Sequence, residues 1–131
     1  MQYLLLIYTN ETETAAQDPA ALGAMMEEYG VFTKSVVESG HFKAGDALQS
    51  VSTATTVKVR SGKVLTTDGP FAETREQLGG YYLIEAKDLD EAIEIAARIP
   101  GAKLGSIEIR PVMVYRRNAV LALPAWRIPR R

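Results

Sequence analysis

Cysteine is absent from all 131 residues. Disulfides and thiolate metal sites are thereby excluded, and nothing in the composition points to an oxidising compartment. Histidine occurs once, at His41. Without cysteine beside it, a catalytic zinc site would lack nitrogen and sulfur ligands, and no metal is expected. No apolar run reaches the roughly 18 residues that a spanning helix needs. No basic segment precedes the apolar run near the N-terminus, so no signal peptide is expected. The net charge of -1 gives no global attraction to nucleic acid or to an anionic membrane. There is no phosphate-binding glycine loop, dinucleotide fingerprint or G-x-S-x-G elbow. These absences predict a cytoplasmic protein with no cofactor, no membrane partner and no direct nucleic-acid partner.

What is present suits one soluble domain. Hydrophobic residues make up 47% and charged residues 24%, and the length allows a sizeable core. Charge is spread unevenly. Residues 116–131 hold five arginines and no acid, so that segment is +5 and the rest of the chain is -6. Aliphatic and aromatic residues are interleaved with those arginines. Such a tail packs on an acidic body or on a partner subunit more readily than a dense basic run would.

Residues 2–8 read as a strand with apolar side chains on both faces, Tyr3, Leu5 and Ile7 on one and Leu4, Leu6 and Tyr8 on the other. A strand of that kind is covered on both sides. Residues 10–17 read as polar linker. Asp18 and Pro19 start a helix as N-cap and first residue. Leu22, Met25, Met26, Tyr29, Phe32 and Val36 form its stripe, and Gly40 ends it. Residues 41–52 read as irregular, with a short strand near 47–49. Residues 53–60 and 63–66 form a hairpin about Ser61-Gly62. A long loop, 67–80, precedes a strand at 81–86. Asp88 and Glu91 resemble a capping box for a second helix with Leu89, Ala92, Ile93, Ala96 and Ile99 inside; Pro100-Gly101 stops it. Residues 106–114 form the last strand. The order predicts a ferredoxin-like α+β domain: an antiparallel sheet, two helices on one face and an extra hairpin strand. The sheet's bare face calls for cover, and a homodimer supplies it.

The central loop carries Asp68, Glu73, Arg75 and Glu76. Asp-Gly-Pro is turn chemistry, and Asp68 is equally a carboxylate placed at a strand end for general acid–base work or ligand binding. Glu73 and Glu76 would lie side by side on a helical turn, and Arg75 could pair with either. His41 can exchange a proton near neutral pH, with Asp46 as its orienter if the loop curls. Tyr29 sits on the core stripe with its hydroxyl at the rim. Tyr81 and Tyr82 alternate, so one of them faces away from the helices.

Thr67-Asp68-Gly69-Pro70-Phe71-Ala72-Glu73-Thr74-Arg75-Glu76-Gln77-Leu78-Gly79-Gly80-Tyr81-Tyr82-Leu83-Ile84-Glu85 resembles the signature of the DGPF-domain proteins of the YCII-related family. Tyr3-Leu4-Leu5-Leu6-Ile7-Tyr8, Gly45-Asp46-Ala47-Leu48, Thr53-Ala54-Thr55-Thr56-Val57 and Glu108-Ile109-Arg110-Pro111-Val112 extend the resemblance over residues 1–114, leaving 115–131 as a basic extension. The resemblance implies a subunit that pairs through its sheets into a dimeric α+β barrel with a small-molecule cleft. It implies no known reaction; for an enzyme, the residues themselves lead to the expectation of cofactor-independent acid–base chemistry on a small organic substrate, with Asp68, which matches the signature aspartate, as proton acceptor. The helix histidine of related members falls on Tyr29 here, counted back from Gly40. On this reading Asp68, Tyr29 and His41 are the catalytic candidates, and Asp46, Glu73, Arg75 and Tyr82 the ligand-binding ones. The alternative it implies is a non-catalytic ligand-sensing or partner-binding module associated with sigma-factor regulation.

Overall fold

The computed structural model describes residues 1–114; the expected basic extension lies outside the described residues. Strand β1 (Gln2–Thr9) is central, with β5 (Gln77–Glu85) on one side and β6 (Ser106–Pro111) on the other. Strand β2 (Phe42–Ala47) completes an antiparallel sheet of order β2-β5-β1-β6. Helices α2 (Pro19–Glu38) and α3 (Leu89–Ala97) contribute Phe32, Val36, Ala92, Ile95 and Ala96 to a core against Tyr3, Leu5, Ile7, Tyr82 and Ile84 of the sheet. This is the expected ferredoxin-like arrangement. Among the described residues no helix is long and apolar enough to cross a membrane.

The helix ends follow local chemistry. Asp18 caps α2 by accepting the Ala21 N–H at 2.8 Å, and Gly40 takes φ +81° just past its end. Asp88 caps α3 by accepting the Glu91 N–H at 2.9 Å. Glu91 reaches back to the Lys87 N–H at 3.0 Å, one residue before the cap.

Several expectations are corrected. Residues expected as linker form a short helix, α1 (Glu11–Ala15), capped by Asn10. It buries no residue, so it leaves no apolar period to read. The irregular segment after Gly40 contains β2, whose Gly45 and Asp46 have low strand propensity. Pairing with β5 overrides that propensity. The long loop shrinks to residues 69–76, because Asp68 ends β4 and the glycine pair lies inside β5. The inner stripe of α3 is turned, burying Ile95 and leaving Leu89 and Ile93 half exposed.

The hairpin strand does not join the main sheet. β3 (Thr55–Arg60) and β4 (Lys63–Asp68) form a separate two-stranded ribbon. Ser61 and Gly62 both take positive φ, 51° and 74°, as a tight primed turn requires. On the main sheet, cross-strand register places Leu4 and Leu6 beside Leu83 and Tyr81 on the face away from the helices. No helix among the described residues covers that face.

Candidate functional site

The apolar stripe of α2 is only half used. Phe32 and Val36, in the second half, are buried, whereas Met25 and Tyr29 are half-buried and Met26 is 72% exposed. The first half therefore stands off the sheet. A cavity of about 370 Å³ lies between them, bordered by Ile7, Met25, Met26, Tyr29, Phe42 and Tyr82. Gly45 and Gly80 pair into the same layer of the sheet without a side chain. The space at Gly45 is taken by the rings of Tyr82 and Phe42, 3.0 and 3.3 Å from where a Cβ would stand.

The polar groups in this apolar wall are hydroxyls. Tyr29 Oη accepts the Gly101 N–H at 3.1 Å, and its own proton has no acceptor among the described residues. Burial pushes the Tyr29 phenol above its ordinary pKa, with the Gly101 hydrogen bond opposing. It is therefore a neutral hydrogen-bond donor at physiological pH. Thr33, one helical turn on from Tyr29, shares a 2.6 Å hydrogen bond with the Tyr82 hydroxyl. Edge-on contacts with Phe32 and Phe42, at 5.2 and 6.2 Å between centroids, fix the Tyr82 ring.

Asp46 and Tyr81 border the cavity at the β2 edge. Strand alternation points their side chains toward the uncovered sheet face, where the Tyr81 hydroxyl donates to Asp46 Oδ2 at 2.8 Å. That hydrogen bond, more than any burial, raises the Tyr81 pKa. Among the described residues no lysine or arginine borders the cavity.

Of the candidate catalytic and ligand-binding residues, Tyr29 and Tyr82 face this cavity, Asp46 borders it with its side chain turned to the other sheet face, and Asp68, His41, Glu73 and Arg75 do not border it. Asp68 is exposed at the end of β4, opposite Thr55. Glu73 and Arg75 are exposed in the 69–76 loop, where the Arg75 carbonyl accepts from Asn10 Nδ2 at 3.0 Å. His41 does not bond Asp46. Its Nδ1 meets Ser39 Oγ at 2.7 Å and its Nε2 meets Glu91 Oε1 at 3.2 Å. Thr33 and Met25 were not singled out. Thr33 was findable as the i+4 neighbour of Tyr29; Met25 reads in sequence as ordinary core. Among the described residues no three His, Asp or Glu side chains gather as a metal site would need.

Comparison with known proteins gives three findings. Residues 1–116 match the family described as the YCII-related domain. An uncharacterised protein of Rhizobium meliloti (strain 1021) is 35% identical over 118 residues, covering 88% of this chain and 95% of its own. The structure of 5-chloro-2-hydroxyhydroquinone dehydrochlorinase (TftG) from Burkholderia phenoliruptrix AC1100, in complex with 2,5-dihydroxybenzoquinone, is similar at 14% identity and a TM-score of 0.45. That likeness covers 86% of this chain and 94% of the other.

Proposed function

The chain belongs to the YCII-related domain family, and from that premise we propose that it binds a small, uncharged, largely apolar organic molecule in the cavity beneath the first half of α2. The observation that carries this reading is the Tyr29 hydroxyl. It is held in an apolar wall by the Gly101 N–H, with its proton free to donate to an oxygen on the ligand. Among the described residues no lysine or arginine borders the cavity, which favours an uncharged ligand over an anionic one. The apolar walls favour a planar or aliphatic body, and the hydroxyls fix its orientation. Two copies would pair through the uncovered sheet faces, where Leu4, Leu6 and Leu83 form the apolar centre.

A second reading, acid–base turnover, is favoured by the same free proton. A neutral phenol aimed at a carbonyl oxygen stabilises the enolate formed when a proton leaves the adjacent carbon. The proton would leave to water, because the Asp46 carboxylate at the cavity's edge faces the other side of the sheet and holds the Tyr81 hydroxyl.

One experiment addresses both readings. Small aromatic ketones, beginning with acetophenone, are titrated into protein carrying 13C-methyl methionine, in D2O. Binding in the cavity shifts the Met25 and Met26 methyl signals and leaves Met1 unmoved. Tyr29→Phe weakens that binding about tenfold, the worth of one hydrogen bond in an apolar wall. Turnover further shows as accelerated deuterium exchange at the ketone α-carbon, lost in Tyr29→Phe and kept in Asp46→Asn. Shifts without exchange mean a binding module. If no ketone in the series moves Met25 or Met26, the cavity is not the site.

A further inference from the structure

Helix α3 has a flank that the fold leaves bare. Ala92, Ile95 and Ala96 are buried against the sheet. The flank toward α2 is also in use. Glu91 Oε1 lies 3.2 Å from His41 Nε2. Arg98, just past the helix, reaches Ser35 Oγ of α2 at 3.3 Å and lies 5.7 Å over the Phe32 ring. At 3.6 residues per turn, Leu89 and Ile93 fall on the opposite flank. They are 50% and 48% exposed.

That flank overhangs β6, against which α3 packs. β6 is an edge strand, paired with β1 alone among the described residues, so its outer backbone groups have no neighbouring strand. Ile107 and Ile109, on its helix side, are only partly buried. Leu89, Ile93, Ile107 and Ile109 thus make an apolar strip along this edge. Asp90 and Glu94 border it on the solvent side, with no ion-pair partner among the described residues. α3 itself contains no lysine or arginine. A cover for such a strip is apolar and basic.

The chain's own continuation has that character and starts beside the strip. The Ala86 N–H, just before α3, donates to the Met1 carbonyl at 2.9 Å. The Val112 N–H, just after β6, donates to the Gln2 carbonyl at 2.9 Å. The described chain therefore stops at the end of the sheet where α3 begins, across the start of β1. Residues 115–131 hold five arginines and no acid, together with Val120, Leu121, Leu123, Trp126 and Ile128. From Leu89 to Ala97 the helix rises about 12 Å. Seventeen residues reach well beyond that, at about 3.3 Å for each extended residue.

We propose that residues 115–131 fold back over this strip on their own chain. Leu121, Leu123 and Trp126 cover Leu89 and Ile93. Arg116 and Arg117, nearest the exit, reach Asp90 and Glu94. The uncovered sheet face is a poorer match for the arginines. There Glu85 is already paired with the Met1 ammonium, and Arg110, opposite Leu4, repels them. Docking on the strip leaves that face free to pair two copies, because Leu89 and Ile93 lie on the helix side of the sheet. The inference does not depend on what the cavity binds.

Trp126 is the chain's one tryptophan, so its fluorescence reports on this segment alone. Its emission is expected to lie to the blue of the urea-unfolded protein, with weaker quenching by acrylamide. Leu89→Ser with Ile93→Ser moves the emission to the red and abolishes the protection from acrylamide. Arg116→Glu with Arg117→Glu releases the segment likewise, and adding Asp90→Lys with Glu94→Lys returns it. A further readout leaves α3 untouched: the 13C signal of the Ile93 δ1-methyl carries the ring-current shift of Trp126 and loses it in Trp126→Leu. Emission and quenching equal to those of the unfolded protein overturn the proposal, as does an Ile93 methyl unmoved by Trp126→Leu. Protection that disappears on dilution places the segment on a partner copy and overturns it too. So does protection lost in Leu4→Lys with Leu6→Lys but kept in Leu89→Ser with Ile93→Ser, which places the segment on the uncovered sheet face.

Discussion

His41 and Tyr29 show how differently single residues reveal themselves. His41 attracts notice in sequence as the one side chain that ordinarily titrates near neutrality, yet the structure gives it a bracing role between Ser39 and Glu91. Glu91 in turn ties the start of α3. Its carboxyl is held below the usual carboxylate range, first because Oε1 accepts the Lys87 N–H, with His41 adding to the effect and partial burial opposing it. A carboxyl depressed on folding stabilises the fold above its unfolded pKa of about 4.3. That contribution is lost as pH falls through the lower folded value. Glu91→Gln is therefore expected to have a lower urea midpoint than wild type at pH 7. The difference should shrink steadily as the pH drops below about 4. A gap between the two proteins that stays constant down to pH 3 would remove Glu91 from this account. Tyr29, by contrast, reads in sequence as a stripe residue with a rim hydroxyl, and that is where it lies. What the sequence could not show was Gly101. Its N–H holds the phenol, and a Cβ there would come within 2.6 Å of the Tyr29 oxygen. Contacts between residues 72 positions apart leave no local pattern.

Elements were legible where they bury a periodic face or carry a cap. β1, α2, α3 and the Ser61-Gly62 turn all do so, and each was readable. α1 and β2 do neither. α1 buries nothing, and β2 takes its strand form from β5. The hairpin was readable as a hairpin but not as a separate ribbon, because strand pairing says nothing about which sheet accepts a strand. The structure gives the unread helix a purpose. α1 presents the Glu11 carboxylate to Ser50 and Val51, just before the β3–β4 ribbon, and the Glu11 N–H to Gln77 at the start of β5. Glu11→Ala removes the acceptor for Ser50 and Val51, and the Val51 amide is then left without its partner. Native-state hydrogen exchange should report this locally, with faster exchange at Val51 and at Gly69, whose N–H donates to Ala54 across the base of the ribbon. Global stability should fall by only about 1 kcal/mol, since these bonds are part-exposed. Equal exchange at both amides in the two proteins would mean that the ribbon's base is held by something other than α1.

At the scale of the whole molecule the net charge of -1 conceals a division. Residues 116–131 carry +5 and the rest of the chain -6. Wherever regions of opposite charge meet, association is sensitive to salt. The uncovered sheet face is different, because its centre is Leu4, Leu6 and Leu83. Apolar contact there is not weakened by salt. If two copies pair through that face, a two-fold axis sets each substitution close to its own copy. Leu4→Lys with Leu6→Lys is then expected to weaken the dimer at least tenfold in sedimentation, equivalent to about 1.4 kcal/mol. Raising sodium chloride should leave the wild-type dissociation constant little changed. A dissociation constant that is the same in both proteins would place the association on another surface.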